Sequence, residues 1–112
     1  MSFIIKRDAW HDMIEQLGTP MPKHLPDTFL GQETKEGFQY YRFLSGRDIY
    51  FYKVTHIQSK EVHYEIFPRH ITGKRRDRRE LCPWEEPVCD NIEIFTNSGA
   101  ANFRFAEIMR EA

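Results

Sequence analysis

The stretch that decides the fold runs from Gly37 to Phe67, GFQYYRFLSGRDIYFYKVTHIQSKEVHYEIF. It holds three runs rich in aromatic and β-branched residues, separated by Ser45-Gly46-Arg47 and by a polar interruption between Ile57 and Val62. Short runs of this composition, broken by Gly-containing or polar links, predict an antiparallel meander. Side chains alternate along a strand, so the second and third runs divide into two faces. Ile49, Phe51, Lys53, Thr55, Ile57, Val62, Tyr64 and Ile66 form one, the more apolar, expected to seat helices. Tyr50, Tyr52, Val54, His56, His63, Glu65, Phe67 and Arg69 form the other, expected to lie open. A two-residue turn at Ser59-Lys60 would set His56 opposite His63 and Val54 opposite Glu65. A turn at Lys60-Glu61 would set His56 opposite Glu65 and His63 opposite Gln58. Both registers keep the two histidines on one face.

Outward from the meander, Asp8 to Gly18 (DAWHDMIEQLG) places Trp10, Met13, Ile14 and Leu17 at helical spacing, and Gly18 and Pro20 stop the pattern. Residues 19–31 hold three prolines and little periodicity, so an irregular connection is expected to cross the protein body there. In the other direction Pro68 ends the third run. NIEIFT (91–96) is a fourth strand candidate, and Asn97 and Ser98 are good caps for a helix over GAANFRFAEIMREA. The expected fold is therefore α+β: a three- to four-stranded antiparallel sheet with an N-terminal and a C-terminal helix packed on one face. The whole chain, 1–112, reads as a single domain carrying the connection 19–31 and a charged loop 71–90.

Composition narrows the function. A chain of 112 residues with net charge -1 is neither a multidomain enzyme nor a blanket nucleic-acid binder. Two cysteines make no disulfide scaffold, and the seven-residue spacing of Cys82 and Cys89 fits neither a zinc knuckle nor a redox pair. No 18-residue apolar run exists, and the N-terminus puts its apolar patch before its charges, the reverse of a signal peptide. A cytoplasmic protein without membrane contact is the expectation. No phosphate-binding glycine loop, dinucleotide fingerprint, zinc-protease or nucleophile-elbow motif occurs, so no cofactor and no metal are expected.

Charge is unevenly spread. Between Arg69 and Arg79 six basic residues face one acid, whereas Glu80 to Glu93 holds five acids and no base. A basic run of this kind can contact phosphates, pair with neighbouring acids or meet an acidic partner. Three function classes follow. The preferred one is a small non-enzymatic interaction module that binds a protein partner or a second copy through the aromatic-rich face and the charged loop, with Tyr50, Tyr52, Lys74, Arg75, Arg76, Arg78, Arg79 and Trp84 as contact residues. Trp84 is otherwise an anchor for its loop. The second is a nucleic-acid-binding module led by residues 74–79. The third is a metal-independent ribonuclease-like hydrolase in which His56 and His63 exchange protons, Glu65 orients one of them and Arg69 holds the phosphate.

Overall fold

The computed structural model describes residues 24–73 and 78–111, so the helix expected over 8–18 lies outside the described residues. The strands are β1 (Thr28–Leu30), β2 (Phe38–Ser45), β3 (Ile49–His56), β4 (Val62–Pro68), β5 (Ile71–Thr72), β6 (Arg79–Glu80) and β7 (Glu93–Phe95), followed by helix α1 (Ser98–Glu111). They belong to two compact units. The larger comprises Leu25–His70 and Leu81–Ala112; the smaller takes in His24 and Ile71–Glu80.

The larger unit is an α+β fold around a five-stranded antiparallel sheet in the order β1-β2-β3-β4-β7. This is one strand more than the sequence predicted. The extra strand, β1, falls inside the connection expected over 19–31; three residues at a sheet edge are too few to show alternation. Strand β3 is central and apolar at both parities, and Ile49, Tyr50, Phe51, Tyr52 and Val54 are all buried. On one side Ile49, Phe51 and Ile66 pack against Ala101 and Phe105 of α1. On the other, Tyr40, Tyr50, Tyr52, Val54 and Phe67 pack beneath Leu25, Leu81 and Val88.

That second layer overturns an expectation. The face carrying Tyr50 and Tyr52 is not open: the two residues are 2% and 0% exposed. Tyrosine tolerates this when its hydroxyl finds a partner. Tyr50 Oη accepts from the Leu25 backbone N–H at 3.1 Å, and Tyr52 Oη donates to the Pro26 carbonyl at 2.8 Å. Arg42 adds a donor to the Leu25 carbonyl at 3.1 Å and an ion pair with Asp27. The chain before β1 is thereby fastened over the tyrosines.

The β3–β4 register also differs from both expectations. His63 stands opposite Val54, and Glu65 opposite Tyr52. The link is a four-residue turn, Ile57 to Lys60, closed by the His56 N–H on Glu61 O and the Lys60 N–H on His56 O, both at 2.8 Å. Lys60 takes φ +67°, and the Ser59 hydroxyl accepts the Glu61 N–H, so side chains satisfy donors that a two-residue turn would not offer. The change of register is an even number of residues, so each side chain keeps its face.

Helix α1 begins where Asn97 Oδ1 caps the Ala100 N–H at 2.9 Å. Arg104 grips Glu93 of β7 with two hydrogen bonds, 2.8 and 3.1 Å, and Glu107 one turn on. In the smaller unit β5 pairs with β6, Gly73 takes φ +96°, and the buried Glu80 carboxylate lies 3.6 Å from His24 Nδ1. No described helix is long and apolar enough to cross a membrane.

Candidate functional site

Glu65 organises the polar part of the larger unit. It sits mid-strand in β4, flanked by Tyr52 of β3 and Ile94 of β7, and is wholly buried. A carboxylate taken out of water needs donors on both oxygens. Oε1 accepts the Tyr40 hydroxyl at 2.7 Å. Oε2 accepts Lys35 Nζ at 3.1 Å and His63 Nε2 at 2.7 Å. Burial pushes the Glu65 carboxyl up, but the hydrogen bonds from His63 and Tyr40 and the nearby Lys35 ammonium outweigh it and hold the group below the usual carboxylate range. Burial, reinforced by the Glu65 charge and hydrogen bond, moves the Tyr40 phenol well above its ordinary value. Glu65 is therefore ionised and Tyr40 is its neutral donor.

Lys35 reaches this site from a single 3-10 turn, Glu33–Lys35, whose Lys35 N–H is bonded to Gln32 O at 2.8 Å. Gly31 shapes the approach: a Cβ there would fall on the Lys35 carbonyl oxygen. Beyond Glu65 the same face runs out into an open groove of about 710 Å³, lined by Phe38, His56, Glu61, His63, Ile94 and Thr96 among others. Both imidazoles stand edge-on to Phe38, with ring centroids 4.9 Å (His56) and 5.6 Å (His63) away. The face expected to be open thus has two parts, a tyrosine core and a histidine-lined end.

The structure accordingly brings His56, His63 and Glu65 into one neighbourhood and leaves Arg69 out. Arg69 follows Pro68 at the far end of β4, where its Nη1 lies 3.4 Å from the Arg47 carbonyl. Tyr50 and Tyr52 are core residues. Trp84 is half-buried, its indole edge-on to Phe29 at 5.9 Å. Arg79 is exposed and Arg78 half-buried, while Lys74, Arg75 and Arg76 lie outside the described residues. Cys82 and Cys89 are not in a disulfide; both are half-buried, on a turn where Glu85 Oε1 accepts the Cys82 N–H at 2.8 Å. No group of three or more His, Cys, Asp or Glu positioned to hold a metal ion occurs among the described residues.

Sequence reasoning passed over three members of the site: Lys35, Phe38 and Tyr40. Lys35 gives no signal, being one charged residue in a polar loop. Tyr40 and Phe38 become visible only through the β2–β3 register, which sets them opposite Val54 and His56.

A second surface lies on the opposite side of the sheet. Helix α1 packs on β4 and β7 and reaches β3 at Phe51, 5.6 Å from Phe105, while the same face of the sheet continues over β2 and β1. There Leu30, Tyr41 and Phe43 are 59%, 58% and 46% exposed. A bulge between Arg42 and Leu44 gives β2 one extra residue, Phe43, whose ring meets Phe51 at 5.2 Å. Comparison of the chain with protein-family models, with curated protein sequences and with solved structures finds no match to any of them.

Proposed function

We propose that this chain is a small interaction module that pairs with a second copy of itself through the sheet surface of β1 and β2. The observation that carries this reading is the exposed apolar set Leu30, Tyr41, Phe43 and Leu44, which the strand pairing puts on one face. Contiguous apolar surface of this kind on a small domain marks a contact site. One charge, Lys53, lies within it beside Gln39 and Thr55, and Tyr41 stands opposite Lys53. A face this nearly neutral suits an isologous contact, where each copy meets its own surface and any dense charge would be doubled. Tyr41 and Phe43 replace the buried Tyr50 and Tyr52 as the aromatic contact residues; the basic run 74–79 enters as a separate, salt-sensitive contact. Sedimentation equilibrium over a hundredfold concentration range tests the reading. A reversible dimer is expected, with Tyr41→Arg shifted to monomer; a strictly monomeric mass throughout sinks it, and a monomer that captures another protein through Tyr41 moves the surface to a heterologous partner.

A second reading, acid–base chemistry in the histidine groove, is favoured by the 2.7 Å contact between His63 and Glu65. A base held by a buried carboxylate is the arrangement general-base catalysis needs. The phosphate clamp assigned to Arg69 does not belong to it.

A further inference from the structure

We infer that the groove shared by His56 and His63 is a binding site for an uncharged heteroaromatic ring of the nucleobase kind, held by one acceptor and one donor from the two imidazoles. The inference deepens the second reading by naming a ligand class for that groove. It is independent of self-association, which uses the other face of the sheet.

The hydrogen-bond partners fix the two tautomers. An ionised carboxylate only accepts, so the His63 nitrogen that faces Glu65 carries the hydrogen. In the uncharged ring Nδ1 is then an acceptor, and among the described residues nothing donates to it. His56 is set the other way round. Its Nδ1 accepts the Ser59 backbone N–H at 3.1 Å, which leaves Nε2 as the hydrogen-bearing atom. Gly37 leaves that edge without a side chain over it: a Cβ there would stand in van der Waals contact with His56 Nε2, 3.8 Å away. The groove thus offers an acceptor, His63 Nδ1, and a donor, His56 Nε2–H. The two residues occupy diagonal positions on neighbouring strands, where Cα atoms lie about 7–8 Å apart. Side chains at such positions reach a common groove, where a ring edge with neighbouring donor and acceptor would take one hydrogen bond from each imidazole. The hydrogen-bonding edge of each nucleobase has this pattern.

The remaining lining selects the class. Phe38 and the exposed Ile94 supply apolar contact for a ring face. No lysine or arginine is among the described lining residues, and Glu61 adds a negative charge. A phosphate on the ligand would meet the Glu61 charge with no cation among the described lining residues to offset it. The fit is to a nucleoside rather than a nucleotide.

The test uses the full chain with ¹⁵N-labelled histidines, observed by long-range ¹H–¹⁵N correlation in mildly alkaline buffer. Both His56 and His63 are expected as Nε2–H tautomers. Adenosine, cytidine, guanosine and uridine are then titrated singly, with their 5′-monophosphates and with benzyl alcohol as a ring lacking the paired edge. Saturable shifts at His63 Nδ1 and His56 Nε2 are expected from at least one nucleoside at about millimolar concentration, with its monophosphate binding no tighter. Glu65→Gln can present an amide N–H to His63 Nε2 and reverse that ring, so binding should fall about tenfold. Should that variant fail to fold, His56→Phe removes the donor while leaving the Glu65 network in place, and the same loss is expected. The inference is overturned by an Nδ1–H tautomer at His63, by no saturable shift with any nucleoside at about 10 mM, by benzyl alcohol binding equally well, or by the monophosphates binding more tightly. A nucleoside that binds but is not altered would separate this inference from the acid–base reading, which needs turnover.

Discussion

Three donors surround Glu65, one from each of β2, β4 and the 3-10 turn before β2. The carboxylate thus ties together segments 25 to 30 residues apart in the chain. Removing the cationic partner of a buried carboxylate leaves its charge uncompensated, which is worth about 3–5 kcal/mol, even where hydrogen bonds such as those from Tyr40 and His63 remain. Lys35→Met is expected to lower the stability of the fold by roughly 3 kcal/mol in urea denaturation; a change under about 0.5 kcal/mol would show the ammonium to be dispensable. Acid acts on the same group. Because Glu65 sits below its ordinary value in the fold, the unfolded chain takes up that proton first as pH falls. The stabilisation it provides is complete above the unfolded value of about 4.3 and is lost as pH falls through the lower folded value. Urea midpoints of the wild-type protein should therefore fall on acidification below about pH 4.3, more steeply than those of Glu65→Gln. Parallel acid limbs in the two proteins would contradict the assignment. No sequence pattern announced this network. Glu65 was legible as a strand residue beside a histidine, but Lys35 is a loop lysine whose position depends on Gly31 and a single turn.

At the scale of elements, helix α1 rests on its cap and on two inward residues. Asn97→Ala removes the acceptor for the Ala100 N–H and is expected to cost about 1 kcal/mol. Phe105→Ala empties the space against Phe51 and should cost about 3–5 kcal/mol. Thermal melts of both variants check the order, and an Asn97→Ala loss equal to that of Phe105→Ala would put the helix's stability in its end rather than its packing. This helix was readable in advance because cap, spacing and length agree. The face membership of every β3 and β4 residue was readable for a similar reason, since parity survives an even change of register. The register itself was not. It depends on Lys60 adopting a left-handed conformation and on Ser59 and His56 bonding the turn, and a polar run such as QSKE fits turns of several lengths. Burial of the tyrosine face was hidden for another reason. A strand alternating tyrosine with apolar residues looks the same whether or not a loop covers it, and what covers it is the proline-containing segment ahead of β1, where Leu25 and Pro26 meet the tyrosine hydroxyls.

For the molecule as a whole, the two faces of one sheet carry different capacities. One is closed over tyrosines and opens only at the histidine end. The other is covered by α1 over β4 and β7, while at β1 and β2 it shows apolar side chains to solvent. The exposed aromatic side chains of the sheet are thus Tyr41 and Phe43 on this face, while the expected Tyr50 and Tyr52 lie buried on the other. Under the proposed reading two copies meet at this surface, and the most direct measurement is a residue-resolved dilution series. In ¹H–¹⁵N spectra recorded from high to low protein concentration, amides of Leu30, Gln39, Tyr41, Phe43 and Lys53 should shift together along one binding curve, with those around Phe103 on the outer side of α1 unmoved. Spectra that do not change with concentration, or shifts confined to α1, would contradict self-association through β1 and β2.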